Sequence, residues 1–189
     1  HSYAEPGWMD DTALAEGFRT DHLGRAPAQV DEAQLRHWQR EAITRASAAE
    51  LQEWLGPRLG AIAGPAREVF LATVRGNLLL PGDVTPLVAV VTQPDVALSD
   101  EARAQVAEAG AEFFARAAEL FVTLGSDFKA WARAVGETTG RKGAKLFMPL
   151  RAALTGATHG PELAPLVALM GPGHALHRLE GARDAAVRG

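Results

Sequence analysis

The stretch Leu87–Val91, LVAVV, is the place where this chain could hold a β-strand. Five consecutive apolar residues fit a buried strand and a buried turn of helix equally well, so periodicity does not separate the two. A strand needs a partner, and no second stretch with strand patterning offers one. A helix is expected here, and with it an all-α chain. Outward from Leu87–Val91, helix signals recur on both sides. Asp10 and Asp11 can cap a short helix through Leu14 to Phe18, and Asp31 can cap one in which Leu35, Trp38 and Ile43 share a stripe. Ser47 and Glu50 have the spacing of a capping box ahead of Leu51, Trp54 and Leu55. Pro65 is placed like a first-turn proline before Val69, Phe70 and Val74. Downstream, Ser99 with Asp100 and Glu101 is expected to open the longest helix, with Val106, Phe113, Leu120 and Leu124 on one face up to Gly125. Ser126 and Asp127 open the next, which should bury Phe128, Trp131 and Val135. About ten helices are expected, in a multihelical bundle of two or three helical subdomains.

Composition narrows the function classes. The chain has 189 residues, 47% of them hydrophobic, enough for a real core and too many for a disordered segment. It has no cysteine, so disulfides, thiolate nucleophiles and sulfur-bound zinc are excluded. A five-residue apolar run is far too short to span a bilayer, and no secretory pattern opens the sequence, so no membrane and a cytoplasmic location are expected. His1, in place of methionine, reads as a processed start or a cut into a longer protein.

Self-sufficient chemistry is hard to find. His22 in DHLGR lacks the second histidine of a catalytic histidine-glycine signature, and no G-x-x-x-x-G-K phosphate loop occurs. His174 and His177 lie about one helical turn apart with Glu180 next, which a solvated helix face explains better than a metal site. Nothing locates a nucleophile elbow. No catalytic residue, metal or cofactor is expected in this chain.

The charge is where the sequence speaks. The net charge is -4, yet Ser126–Gly189 holds nine Lys/Arg against five Asp/Glu, leaving ten against eighteen before it. The cations concentrate in Gly140–Leu163, GRKGAKLFMPLRAALTGATHGPEL, which carries Arg141, Lys142, Lys145 and Arg151. Such asymmetry points to a local anionic partner. Pro149 has no N–H for the Lys145 carbonyl, so a kink or restart is expected there. Phe147, Leu150 and Leu154 should face the core, pushing Arg151 away from it. Gly156 then ends the helix, and THGPEL links tightly to the next, with backbone N–H groups free. Guanidinium groups, free backbone donors and apolar side chains are the parts that read RNA loops. A helix hairpin with snorkelling Arg and Lys uses the same residues, and the pattern alone leaves both readings open.

The segment from Gly140 resembles the C-terminal anticodon-binding region of bacterial glutamyl-tRNA synthetases, which are class I aminoacyl-tRNA synthetases. The likeness lies in Pro149-Leu150-Arg151, Ala153-Leu154-Thr155-Gly156 and Gly160-Pro161 with Leu163, and Met170-Gly171 stands where the family often has Leu-Gly. Upstream, Val30-Asp31 and Leu35 are similar to the start of the family's tRNA-stem-contacting region, with Gln39 where asparagine is expected. Neither ATP signature of the class I catalytic domain occurs. The resemblance implies three parts: residues 1–62 like the stem-contact region, 63–125 a first anticodon-binding subdomain, and 126–189 a C-terminal one. It implies a monomer that selects glutamate tRNA, not DNA, for a catalytic domain using ATP and magnesium elsewhere. Arg151 would read an anticodon base with Met148 beside it, and Gly160 to Leu163 would line base pockets. Arg141, Lys142 and Lys145 would meet phosphates. In TVRGNLLL, Asn77 rather than Arg75 falls where strict members read the third anticodon base. A free-standing helical RNA-binding paralogue and a protein-interaction adaptor are the alternatives.

Overall fold

A computed structural model describes residues 7–22, 31–60 and 62–188, and the side chain of His22, like Val30, lies outside what it describes. Ten α-helices and no strand occur among the described residues. The stretch LVAVV lies inside α5, Val84–Thr92, whose Val84, Val90 and Val91 are buried. Helix α1, Asp11–Gly17, is capped by Asp10, which accepts from Ala13 N. Helix α2, Glu32–Arg45, is capped by Asp31, and α3, Ala48–Leu55, carries the full Ser47–Glu50 capping box. Both hydrogen bonds with Ser47 hold the Glu50 carboxyl below its ordinary range. Helix α4, Pro65–Val74, begins on its proline and buries Phe70, Leu71 and Val74.

Two apolar stripes are narrower than their spacing suggests. Leu35 is 60% exposed on α2, where Ile43 alone is buried, and Val69 is 49% exposed on α4. The expected longest helix is also two. Helix α6, Asp100–Ala109, stops at Gly110, whose φ of 80° and ψ of 159° are open to glycine, and α7, Ala111–Leu124, starts anew. Val106 and Phe113 both stay buried because the break redirects the chain and not the apolar face.

The core of the second half is built around α8, Phe128–Thr139, α9, Ala144–Thr155, and α10, Leu163–Arg188. Helix α10 changes direction at Gly171 (φ 77°, ψ 164°), so it is two helical pieces in one. It packs along α7 and touches α4, α5, α6 and α9, which ties both charge regions of the chain into shared packing. Trp131 is fully buried: its Nε1 donates to the Ala117 carbonyl at 2.9 Å and its ring meets Phe121 edge-on. Arg178 is buried to 4% exposure, and its guanidinium donates to the carbonyls of Pro94, Leu154 and Gln93. It thereby joins the ends of α5 and α9 to α10. No single helix among the described residues is long and apolar enough to cross a membrane.

Candidate nucleic-acid interface

Helix α9 runs without a break through Pro149, which is buried, and so does not restart there. Its buried stripe is Leu146, Leu150, Ala153 and Leu154. Phe147 lies off that stripe, 44% exposed, and shares a face with Arg151 one turn later. The expectation that Phe147 is core is thus corrected by the helical phase. Arg151 is corrected in the opposite sense. It is half-buried, because the 157–161 turn and the segment at Asn77 close around it.

The result is a cavity of about 460 Å³ lined by Arg151, Asn77, Asp83, His159, Gly160 and Pro161 over an apolar floor that includes Leu87 and Leu166. Nη1 of Arg151 is buried with no hydrogen-bond partner. Desolvation lowers the pKa of this guanidinium from its ordinary value, a sign that no carboxylate offsets its burial. The two acids in the lining are engaged elsewhere. Asp83 accepts from Leu79 N at 2.9 Å and Leu80 N at 2.8 Å, and Asp95 pairs with His177 at 2.8 Å. The backbone N–H groups of Thr158, His159, Gly160 and Glu162 find no acceptor among the described residues. The cavity thus sets the unpartnered guanidinium of Arg151 beside backbone donors of the 157–161 turn and beside Asn77, whose amide can both donate and accept. It suits an occupant rich in carbonyl, ring-nitrogen or phosphate oxygen acceptors.

Gly156 makes the shape possible. It ends α9 in the left-handed region (φ 75°), and a Cβ there would lie 2.3 Å from the Ala97 carbonyl oxygen. Its own carbonyl accepts from Ser99 N at 2.8 Å, so the 95–99 segment, which borders the cavity, is laid directly across the helix end. Gly160, with φ 140°, faces Arg151 closely enough that a Cβ would sit 3.7 Å from Nη1.

Other candidate residues fall elsewhere. Met148 and Lys145 line a separate hollow of about 500 Å³ beside α6. Arg141 donates to the Ala109 carbonyl at 2.8 Å and stacks over Phe113, so it bonds α8's exit to α6. Lys142 is exposed, and Leu163 is buried at the head of α10 while Leu166 reaches the cavity instead. Arg75 donates to Thr44 O at 3.0 Å, whereas exposed Asn77 lines the cavity with Arg151. Among the described residues no group of three or more His, Asp or Glu side chains is arranged for a metal, and His177 is paired with Asp95.

A family model for the anticodon binding domain matches residues 48–183. The chain belongs to that family. It is 46% identical over 178 residues to glutamate–tRNA ligase 2 of Alkalilimnicola ehrlichii, covering 94% of this chain and 37% of the relative. It is 43% identical over 186 residues to glutamate–tRNA ligase 2 of Nitrosococcus oceani, covering 97% of this chain and 39% of the relative. The chain thus spans less than two fifths of these curated relatives. A crystal structure of glutamate–tRNA synthetase from Elizabethkingia anophelis superposes on 92% of this chain and 36% of its own with a TM-score of 0.73 at 14% identity, which bears on the fold. As an anticodon binding domain, the chain holds two residues whose part in the site the sequence did not announce. Gln39 Nε2 donates to the Leu79 carbonyl from α2, and the Asp83 carboxylate holds the same 79–80 segment from the other side. His159 is the other, visible only as a polar residue in the turn.

Proposed function

We propose that this chain is the anticodon-reading, C-terminal portion of a glutamate–tRNA ligase, and that it holds and selects glutamate tRNA. Aminoacylation, with its ATP and magnesium, belongs on this reading to the catalytic part of the parent enzyme, in the cytoplasm. The protein acts as a monomer, and its partner is tRNA and not DNA or a membrane. The observation that carries the reading is the buried, unpartnered Nη1 of Arg151, which faces a cavity bordered by Asn77, His159 and the 157–161 turn. A base edge supplies the missing acceptors, and a guanidinium can meet two of them at once. Gly160 and Pro161 close the cavity near Arg151, and Asn77 faces the base that separates glutamate from glutamine tRNA. Met148 and Lys145 receive a neighbouring nucleotide, while Lys142 and the outer edge of Arg141 face phosphates and Leu163 holds the turn from beneath. Residues 1–62 follow the tRNA stem, with 63–125 and 126–189 as the two anticodon-binding parts.

The test is a titration of the chain with tRNAs altered at single anticodon bases, alongside ATP–pyrophosphate exchange. Glutamate tRNA should bind, substitutions in its anticodon should weaken binding, and no exchange should occur. Exchange by this chain alone, or equal binding of every anticodon variant, would overturn the reading.

A further inference from the structure

A second and larger hollow, an open groove of about 910 Å³, lies between α8 and α9. Its floor is formed by small and aliphatic residues, among them Ala132, Gly136 and Leu146. A Cβ on Gly136 would come within 3.1 Å of Leu146 Cδ2, so the two helices meet closely beneath it. Phe128 and Phe147 both line the groove. Phe128 is held by an edge-on contact with Trp131, ring centroids 5.5 Å apart, and Trp131 is itself locked by its hydrogen bond to Ala117. Phe147 stands 44% exposed with one side open to solvent.

An exposed phenyl ring alone would suit many occupants, and the charges decide among them. Lys129, Arg133, Arg141 and Lys142 line the groove against two acids, Asp127 and Glu137. Asp127 is occupied in capping α8 through Ala130 N, and Glu137 lies 3.9 Å from Arg133. Arg141 is engaged with Ala109. Lys129 and Lys142 have no acidic partner among the described residues. The groove thus asks for an anion with a flat apolar face. Phe147 and Arg151 share a face of α9 one turn apart, about 6 Å along its axis. A strand with one base in the Arg151 cavity is therefore already at the groove's edge. That continuity favours RNA over an acidic amphipathic peptide, which would have no reason to lie beside Arg151.

We infer that the groove holds a further unstacked nucleotide of single-stranded RNA, flanking the bases read at Arg151. Its base stacks on Phe147, against the wall formed by Phe128, and its phosphates lie beside Lys129 and Lys142. The inference rests on the tRNA reading above. The test titrates the chain with a hairpin RNA carrying the anticodon stem and loop of glutamate tRNA, with a fluorescent purine analogue in the loop next to the anticodon. Phe147 is exposed, so Phe147→Ala should fold normally, weaken binding about tenfold and abolish the analogue's quenching. Phe147→Tyr should retain both, and Lys129→Ala should lower the slope of log affinity against log salt by about one. Wild-type affinity and quenching in Phe147→Ala, with binding still dependent on Arg151, would overturn the groove assignment and leave that surface to a protein partner. If the unaltered chain bound no hairpin, the tRNA reading itself would fall.

Discussion

At Arg151 a guanidinium gives up water without gaining a carboxylate. Its Nη1 is buried and donates to nothing among the described residues, and burial pulls its pKa below the usual guanidinium range. Such an arrangement is stabilised only when an occupant arrives. Arg151→Lys should keep the sequence-independent part of tRNA binding and lose about 1–3 kcal/mol of discrimination among anticodon bases, because an ammonium cannot make two parallel bonds to one edge. Equilibrium binding to tRNAs altered one base at a time would show this, and unchanged discrimination would remove Arg151 from base reading. Asn77 sets a different expectation. Arg75 is committed to Thr44, so on the proposed reading a base would be met there through the uncharged amide of Asn77, which both donates and accepts. Discrimination between glutamate and glutamine tRNAs should therefore be relaxed at this base, weaker than at the bases read by Arg151, and Asn77→Arg should sharpen it. A strong preference in the unaltered chain that vanishes in Asn77→Ala would show the opposite.

The elements show what was legible and what was not. Caps and boundaries were plain at Asp10, Asp31, Ser47 and Pro65, because capping is a local matter of a few adjacent residues. The break at Gly110 was missed because Val106 and Phe113 keep one apparent phase across it. Phe147 was misplaced for a related reason: spacing finds a stripe but not its edge, and Leu146 occupies the position toward the core. At Arg151 the cation was visible while its cavity was not, since Asn77 and Asp83 come from far away in sequence. Gly156 was legible as a helix end, yet its second task follows only from the crossing Ala97 carbonyl. Gly156→Ala combines the left-handed penalty with that collision and should cost on the order of 3 kcal/mol, lowering Tm by about 6–12 °C. A thermal melt within about 2 °C of the unaltered chain would show that the 95–99 segment yields easily. Arg178 gave no signal as a buried staple. Arg178→Met should cost about 3 kcal/mol by leaving the carbonyls of Gln93, Pro94 and Leu154 without their donor, and denaturant unfolding would measure it.

Over the whole molecule the decisive property is a charge division that packing does not respect. Helix α10 lies on α4, α5, α6, α7 and α9 together, so the acidic first part and the basic last part share one body. A net charge of -4 then says little about how the protein would meet the proposed RNA partner. The local field does, with six cations against Glu137 alone between Lys129 and Thr158. Phosphate neutralisation releases counterions, so tRNA binding should weaken steeply as salt rises despite the overall negative charge. Lys142 is exposed and bound to no acid among the described residues, which suits the phosphate contact proposed for it better than base reading. Lys142→Ala should weaken every tRNA about equally and lower the salt slope by about one, with the fold intact by circular dichroism. Arg151→Lys, which retains its charge, should leave that slope nearly unchanged while altering which bases are preferred. The two variants therefore move orthogonal quantities. If both changed the slope alike and neither changed base preference, Lys142 and Arg151 would act only as a shared positive surface, and the cavity at Arg151 would have no role in selecting tRNA.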